Sequence, residues 1–120
     1  KNDNGGNLPE RIALVERMRA QNQSVEIRKG YCRSACTLYL GLPGTCVGPR
    51  SVFGFHGPTL SLYGVYLPPA EFEHWSNVMA AYYPPPLRQW FIGKARFRRN
   101  GYSYVSGAEL IRLGVPSCPQ

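Results

Sequence analysis

The chain of 120 residues is long enough for one domain with a modest core and too short for two. Hydrophobic residues make up 43% of it, which excludes wholesale disorder, and no apolar run approaches the ~20 residues that a membrane span needs. The 14 Lys and Arg residues against 7 Asp and Glu residues give a net charge of +7, which attracts polyanions through a field that salt screens.

Four cysteines indicate how the chain is stabilised. Cys32, Cys36, Cys46 and Cys118 lack the paired C-x2-C spacing of structural zinc sites, so two disulfides are favoured over a metal site or free thiols. Three pairings are open, and Cys118 stabilises most if it ties the end of the chain to the body. Disulfides place the protein in the periplasm or outside the cell, and because no signal-peptide pattern is present, we expect a mature or trimmed chain.

The first half of the chain predicts a helix followed by an α/β unit. Apolar residues recur at helical spacing from Leu8 to Met18, with Asn7 as the N-cap. A strand is predicted over Ser24–Lys29, a short buried helix over Ser34–Gly41, and a second strand over Ser51–His56. Strand, helix and strand within about thirty residues predict an α/β layer with parallel pairing.

The second half predicts a loop, two helices, a strand and a last helix. Gly57–Pro69 carries no charge and is predicted as an extended loop or hairpin. Helices are predicted over Pro69–Tyr82 and Leu87–Phe97, with the triple proline between them ending the first. A short strand is predicted over Tyr102–Val105, followed by a helix over Ala108–Leu113 with capping-box spacing at its start.

A cluster of cations lies in the second of those helices and just after it. Its members are Arg88, Lys94, Arg96, Arg98 and Arg99, with no acidic residue among them. The pattern favours a solvated face over a surface that contacts an anionic partner. Nucleic acid is therefore not the expected partner, although binding through this cluster would show itself by a steep dependence on salt.

A serine and a histidine make the candidate site. Ser34 opens a helix directly after a strand, and His56 ends the next strand, so neighbouring parallel strands would bring the two side chains together. The N–H of Ala35 lies beside the serine. The alternatives are that Ser34 is only a helix N-cap and His56 a structural residue, or that a reduced Cys32 or Cys36 is the nucleophile. The other histidine, His74, is predicted to be solvated.

Five motifs in order resemble the ClpP/crotonase superfamily. They are Gly5-Gly6 before an amphipathic helix, a strand, C-x-S-A-C-T opening a helix, a strand running into G-F-H-G-P, and V-S-G-A-E-L-I-R-L-G-V. The chain is most similar to the periplasmic, cysteine-bearing branch of the Clp protease proteolytic subunit family, over about residues 4–115. The resemblance implies a single-domain α/β fold over residues 1–120, a ββα superhelix that assembles into homo-oligomers, and hydrolysis of a peptide or protein without metal or cofactor.

The resemblance also implies roles for individual residues. Ser34 resembles the nucleophile and His56 the general base, while Gly6 and Ala35 resemble the residues whose N–H groups form the oxyanion hole. The segment before Ser106 lacks the family's catalytic aspartate, and Asn100 is the nearest group to orient the imidazole, with Ser103 as a second candidate.

The chain also departs from the family pattern before its Gly-Gly loop. The strands that precede the Gly-Gly loop in the family are missing, which predicts a chain truncated at its N-terminal strands, a processed form or a unit completed by a partner. Two function classes also stay open. One is a serine hydrolase with a Ser-His dyad or a triad whose third member is not a carboxylate. The other is a non-catalytic binding module that acts through its basic helix or uncharged loop.

Overall fold

The computed structural model describes residues 2–3, 5–58, 67–98 and 100–119. Within these ranges the helices are α1 (Leu8–Ala20), α2 (Pro69–Ala80), α3 (Pro85–Gly93) and α4 (Gly107–Arg112), with 3-10 helices at Ser34–Gly41 and Ala95–Phe97. The strands are β1 (Glu26–Ile27), β2 (Tyr31–Arg33), β3 (Cys46–Val47), β4 (Val52–Phe55) and β5 (Ser103–Ser106). Most of the predicted uncharged loop lies outside the described residues.

Two small sheets organise the chain. In the larger sheet β4 is central, pairing in parallel with β2 and antiparallel with β5. In the smaller sheet β1 pairs in parallel with β3. The radius of gyration is 13.5 Å, close to the ~14 Å expected for one compact domain of this length. The α/β class and the parallel pairing are therefore confirmed.

The strand predicted over Ser24–Lys29 is wrong in extent and in partner. Only Glu26–Ile27 is extended in a ladder, and it pairs with β3 instead of the strand that ends before His56. The reason is Gly30, whose φ of +80° turns the chain in a way that favours glycine. A separate strand, β2, starts after this turn and runs directly into Ser34.

Predicted helix starts agree with the structure where a side chain caps the helix. Asn7 accepts from the N–H of Glu10 at 2.9 Å, and Ser106 accepts from the N–H of Glu109 at 3.0 Å. The triple proline does more than end α2, because Pro85 occupies the first turn of α3, where a missing N–H is tolerated.

The core lies between one face of the larger sheet and the helices. Phe53 and Phe55 alternate with outward residues on β4 and are almost fully buried. The Phe55 ring meets the Tyr83 and Trp90 rings edge-on, at centroid distances of 5.4 and 5.3 Å. Among the described helices, none is long and apolar enough to cross a membrane.

Two cations of the basic cluster do structural work that the sequence did not predict. Arg88 donates to the carbonyl oxygens of Ala80 and Tyr83, which closes the end of α2. Arg96 forms an ion pair with Glu73 at 2.8 Å, and its side chain is only 12% exposed. The prediction of a solvated face is therefore wrong for Arg96, because Glu73 of α2 covers and pairs with it, whereas Arg88 is exposed as predicted.

The structure resolves the disulfide pairing. Cys32 is bonded to Cys36, and Cys46 is bonded to Cys118. The second bond joins the end of the chain to β3, as expected for Cys118. Because both cysteines near Ser34 are bonded, neither is available as a thiol nucleophile in this oxidised form.

Candidate active site

Ser34 lies at a sharp turn from strand to helix. β2 ends at Arg33 and the 3-10 helix begins at Ser34, whose φ is +57°. For a residue other than glycine this left-handed conformation costs about 1–3 kcal/mol, and such residues cluster at functional sites. A strained turn between a strand and a helix is also the backbone geometry that exposes the nucleophile of serine hydrolases with an α/β fold.

Buried side chains hold this turn in place. The Thr37 hydroxyl lies 2.7 Å from the Ser34 carbonyl oxygen and 2.7 Å from the Tyr83 hydroxyl. Because the carbonyl only accepts, Thr37 donates to it and accepts from Tyr83. Burial raises the pKa of Tyr83, which keeps its hydroxyl protonated as the donor. The Cys32–Cys36 disulfide joins the residues on either side of Ser34 in sequence and so spans the same turn.

Replacing Thr37 by valine should loosen the Ser34 turn. The Thr37→Val variant keeps the shape of the side chain but leaves the buried Tyr83 hydroxyl without its acceptor, at a cost of about 1–3 kcal/mol. Urea unfolding measures this loss. As a control, Tyr83→Phe keeps the bond from Thr37 to Ser34, so it should preserve the reactivity of Ser34 better than Thr37→Val does. Equal reactivity of the two variants would contradict a role of Thr37 in holding the turn.

The glycine pair lies against the serine. Asp3 anchors this segment on the open edge of β2, since its N–H donates to the Tyr31 carbonyl and its own carbonyl accepts from the N–H of Arg33. The Asp3 carboxylate accepts from the N–H of Gly5 at 2.8 Å and forms an ion pair with Arg11 at 3.1 Å. Asp3 and Gly5 are thereby held beside the Ser34 turn.

Gly5 approaches Ser34 so closely that no side chain fits. Its φ is +89°, and a Cβ atom built there would lie 2.7 Å from Ser34 Cβ and 3.0 Å from the Ala35 nitrogen. Gly6 follows with a φ of +152° and lines the same cavity as Ser34. The loop to which the resemblance assigns one oxyanion donor therefore lies next to Ser34 and Ala35. The donor roles of Gly6 and Ala35 stay predictions.

His56 lies at the same sheet edge as Ser34. Arg33 and Gly54 are partners in the parallel register, so Ser34 and His56 both follow the carboxyl ends of neighbouring strands. The half-buried His56 ring places Nδ1 2.6 Å from the Gly57 carbonyl oxygen. Because a carbonyl only accepts, this contact assigns the proton to Nδ1 and leaves Nε2 to act as a base.

One cavity of about 390 Å³ contains both side chains, and we name it the Ser34 cavity. Ser34, His56 and Gly6 line it, together with the first residues of α1 and one face of α2. Its volume lies within the range of small-molecule sites, about 300–1,000 Å³. Ser34 and His56 thus line one cavity, and their joint action as nucleophile and base stays a prediction.

The sequence predicts Asn100 as the group that orients the His56 ring, but the contact of His56 Nδ1 is with another group. Asn100 is exposed and does not line the Ser34 cavity, while Ser103 lies opposite Phe55 in the β4–β5 pair. The group that contacts His56 Nδ1 is the Gly57 carbonyl, which the sequence did not single out. The sequence feature that could have pointed to this contact is the glycine at position 57. A Cβ atom at Gly57 would lie 1.7 Å from the Arg96 carbonyl oxygen, so the position requires glycine. The role of Asn100 stays a prediction.

Comparison of the chain with protein-family models, with curated proteins and with solved structures gives no match. The likeness to the ClpP/crotonase superfamily therefore rests on the sequence motifs. The function is inferred from the geometry of the Ser34 cavity, where a strained serine, a histidine with an assigned tautomer and a glycine loop lie together.

Proposed function

We propose that the protein is a serine hydrolase of the ClpP/crotonase type that cleaves peptide or other acyl bonds. The observation that carries the proposal is the position of Ser34. It takes a left-handed conformation at the carboxyl end of β2 and shares one cavity with His56 at the carboxyl end of β4. The sequence motifs support the same assignment independently of this geometry.

The proposed reaction uses the groups in the Ser34 cavity. His56 Nε2 accepts the proton of Ser34 Oγ as the oxygen attacks the substrate carbonyl carbon. The N–H groups of Gly6 and Ala35 stabilise the oxyanion that forms. The imidazolium then protonates the leaving group, and a water molecule activated by the same histidine releases the acyl group from Ser34.

The Gly57 carbonyl replaces the aspartate of a full triad in this proposal. It orients the imidazole and fixes the proton on Nδ1. A carbonyl carries only a partial negative charge, so it stabilises the imidazolium less than a carboxylate does. We expect slower turnover than in a hydrolase with a complete triad. Because the Gly57 carbonyl is a weaker partner than a carboxylate, it also favours the second candidate function. That function is a binding module that keeps the fold without catalysis.

The proposed setting is the periplasm or the outside of the cell, in a homo-oligomer of the kind that the superfamily forms. The two disulfides support an oxidising compartment.

A fluorophosphonate probe tests the hydrolase proposal, because it reacts covalently with an activated serine. We expect labelling of the wild type, none of Ser34→Ala, and a fall of about 10²–10⁴-fold in His56→Gln, which loses the general base. Ser24→Ala is the matched control, since Ser24 is exposed and does not line the Ser34 cavity. Labelling is followed over the range of about pH 6 to 9.

The contrary result is equally clear. If folded wild-type protein shows no labelling anywhere in this pH range, Ser34 is not activated and the hydrolase proposal fails. The binding module is then the remaining candidate.

A further inference from the structure

Most acidic residues of this basic chain form ion pairs with arginine. The pairs are Asp3–Arg11, Glu16–Arg19, Glu26–Arg28, Glu73–Arg96 and Glu109–Arg112. Five of the seven acidic residues are therefore neutralised within the fold. The other two, Glu10 and Glu71, have no cation within ion-pair distance in the described parts of the chain, and of these two Glu71 lines the Ser34 cavity.

Glu71 lies on a face of α2 whose residues become more buried along the helix. Glu71, Trp75 and Met79 recur every fourth residue, so they lie on one side of the helix, and all three line the Ser34 cavity. Glu71 is exposed, Trp75 is half-buried and Met79 is 3% exposed. At 1.5 Å per residue the three span about 12 Å along the helix. The cavity thus has an apolar, buried end and a carboxylate at its open end.

The excess of positive charge in the chain bears on why Glu71 has no internal ion pair. Lys and Arg outnumber Asp and Glu by two to one, so the lack of an internal partner does not come from a shortage of cations. A carboxylate beside an apolar wall attracts a group that is cationic at one end and apolar along its length. Lysine, arginine and an amino terminus next to an apolar residue all have this character.

We propose that Glu71 determines substrate specificity by binding a cationic group, while Trp75 and Met79 hold the apolar part of the substrate. The substrate class is then a peptide or acyl derivative with a cation close to the scissile carbonyl. This inference rests on the proposed hydrolase function. The cation belongs either to a side chain or to a free amino terminus, and the substrates below separate these two sources.

Matched fluorogenic peptides test the role of Glu71. One pair compares lysine with norleucine beside the scissile bond, a second compares arginine with citrulline, and each peptide is prepared with a free and with an acetylated amino terminus. In the wild type we expect kcat/KM to favour the cationic member by about two- to fivefold, the size of one exposed ion pair. The preference should disappear in Glu71→Gln and reverse in Glu71→Lys.

Glu10→Gln is the matched control. Glu10 is an exposed acidic residue in the first turn of α1, as Glu71 is in the first turn of α2, but it does not line the Ser34 cavity. It should keep the wild-type preference. If Glu71 only stabilises the start of α2, then Glu71→Gln lowers the melting temperature and leaves the preference unchanged, which overturns the proposal.

Binding separates this proposal from the hydrolase proposal. The same peptides are titrated into the Ser34→Ala variant while the NMR signal of the Trp75 indole is followed, with Trp90→Phe used to assign it. Binding of cationic peptides that Glu71→Gln weakens, without any hydrolysis by the wild type, sustains the cation site and removes the enzyme. Hydrolysis that depends on Ser34 but ignores charge does the opposite.

Discussion

The double variant Cys46→Ala/Cys118→Ala should lose about 4 kcal/mol of its free energy of unfolding. The two cysteines are 72 positions apart, so their bond removes much of the entropy of the unfolded chain. In the folded protein the bond reinforces a short ladder, in which Val47 pairs with Ser117 and accepts from the N–H of Cys118. Urea unfolding without reductant measures the change.

The other disulfide is the natural control for this measurement. Cys32 and Cys36 are only 4 positions apart, so Cys32→Ala/Cys36→Ala should lose about 2 kcal/mol. Because this bond spans the Ser34 turn, its removal should reduce fluorophosphonate labelling, whereas removal of the bond to Cys118 should not. Equal losses of stability in the two double variants would contradict the explanation from loop length.

If the N–H of Gly6 is an oxyanion donor as proposed, the Gly5→Ala variant should lose fluorophosphonate labelling by about 100-fold. A methyl group at this position would lie 2.8 Å from the Arg33 carbonyl oxygen as well as 2.7 Å from Ser34 Cβ. Both neighbours are held by the sheet and by the Ser34 turn, so the loop that carries Gly6 must move away. The rate of probe labelling measures the effect at a temperature where the variant is folded.

Gly114→Ala separates this steric effect from backbone strain. Gly114 has a φ of +106°, in the region that favours glycine, but a Cβ atom there would meet nothing within 4 Å. Its replacement should therefore lower stability without changing the rate of labelling. If Gly5→Ala reacts as fast as Gly114→Ala, the close contact of Gly5 with Ser34 has no part in the reactivity.

The sequence predicts those parts of the fold that depend on neighbouring residues. The capping roles of Asn7 and Ser106 can be predicted because the N–H groups that they bind are only three positions away. Parallel pairing is predicted from a short connection through a helix, although the strand that pairs with β4 is β2, which the sequence pattern does not predict.

Other parts depend on groups that are distant in sequence or have no side chain. Thr37 and Tyr83 are 46 positions apart, and neither has a pattern that points to the other. The contact of His56 with the Gly57 carbonyl involves a backbone group, which every residue has. Glu71 looks like an ordinary acidic residue at a helix start until the packing of α2 places it in the Ser34 cavity.

The two ends of the described chain also protect the sheets from self-association. An unpaired strand edge offers free N–H and C=O groups on which another copy can add a strand. Asp3 pairs beside Cys32 on the outer edge of β2, and Ser117 pairs beside Val47 on the outer edge of β3. Each sheet therefore has one edge covered by a terminal segment. Asp3, which holds Gly5 against Ser34, therefore also acts against aggregation. Ser117, which precedes Cys118, does the same at β3.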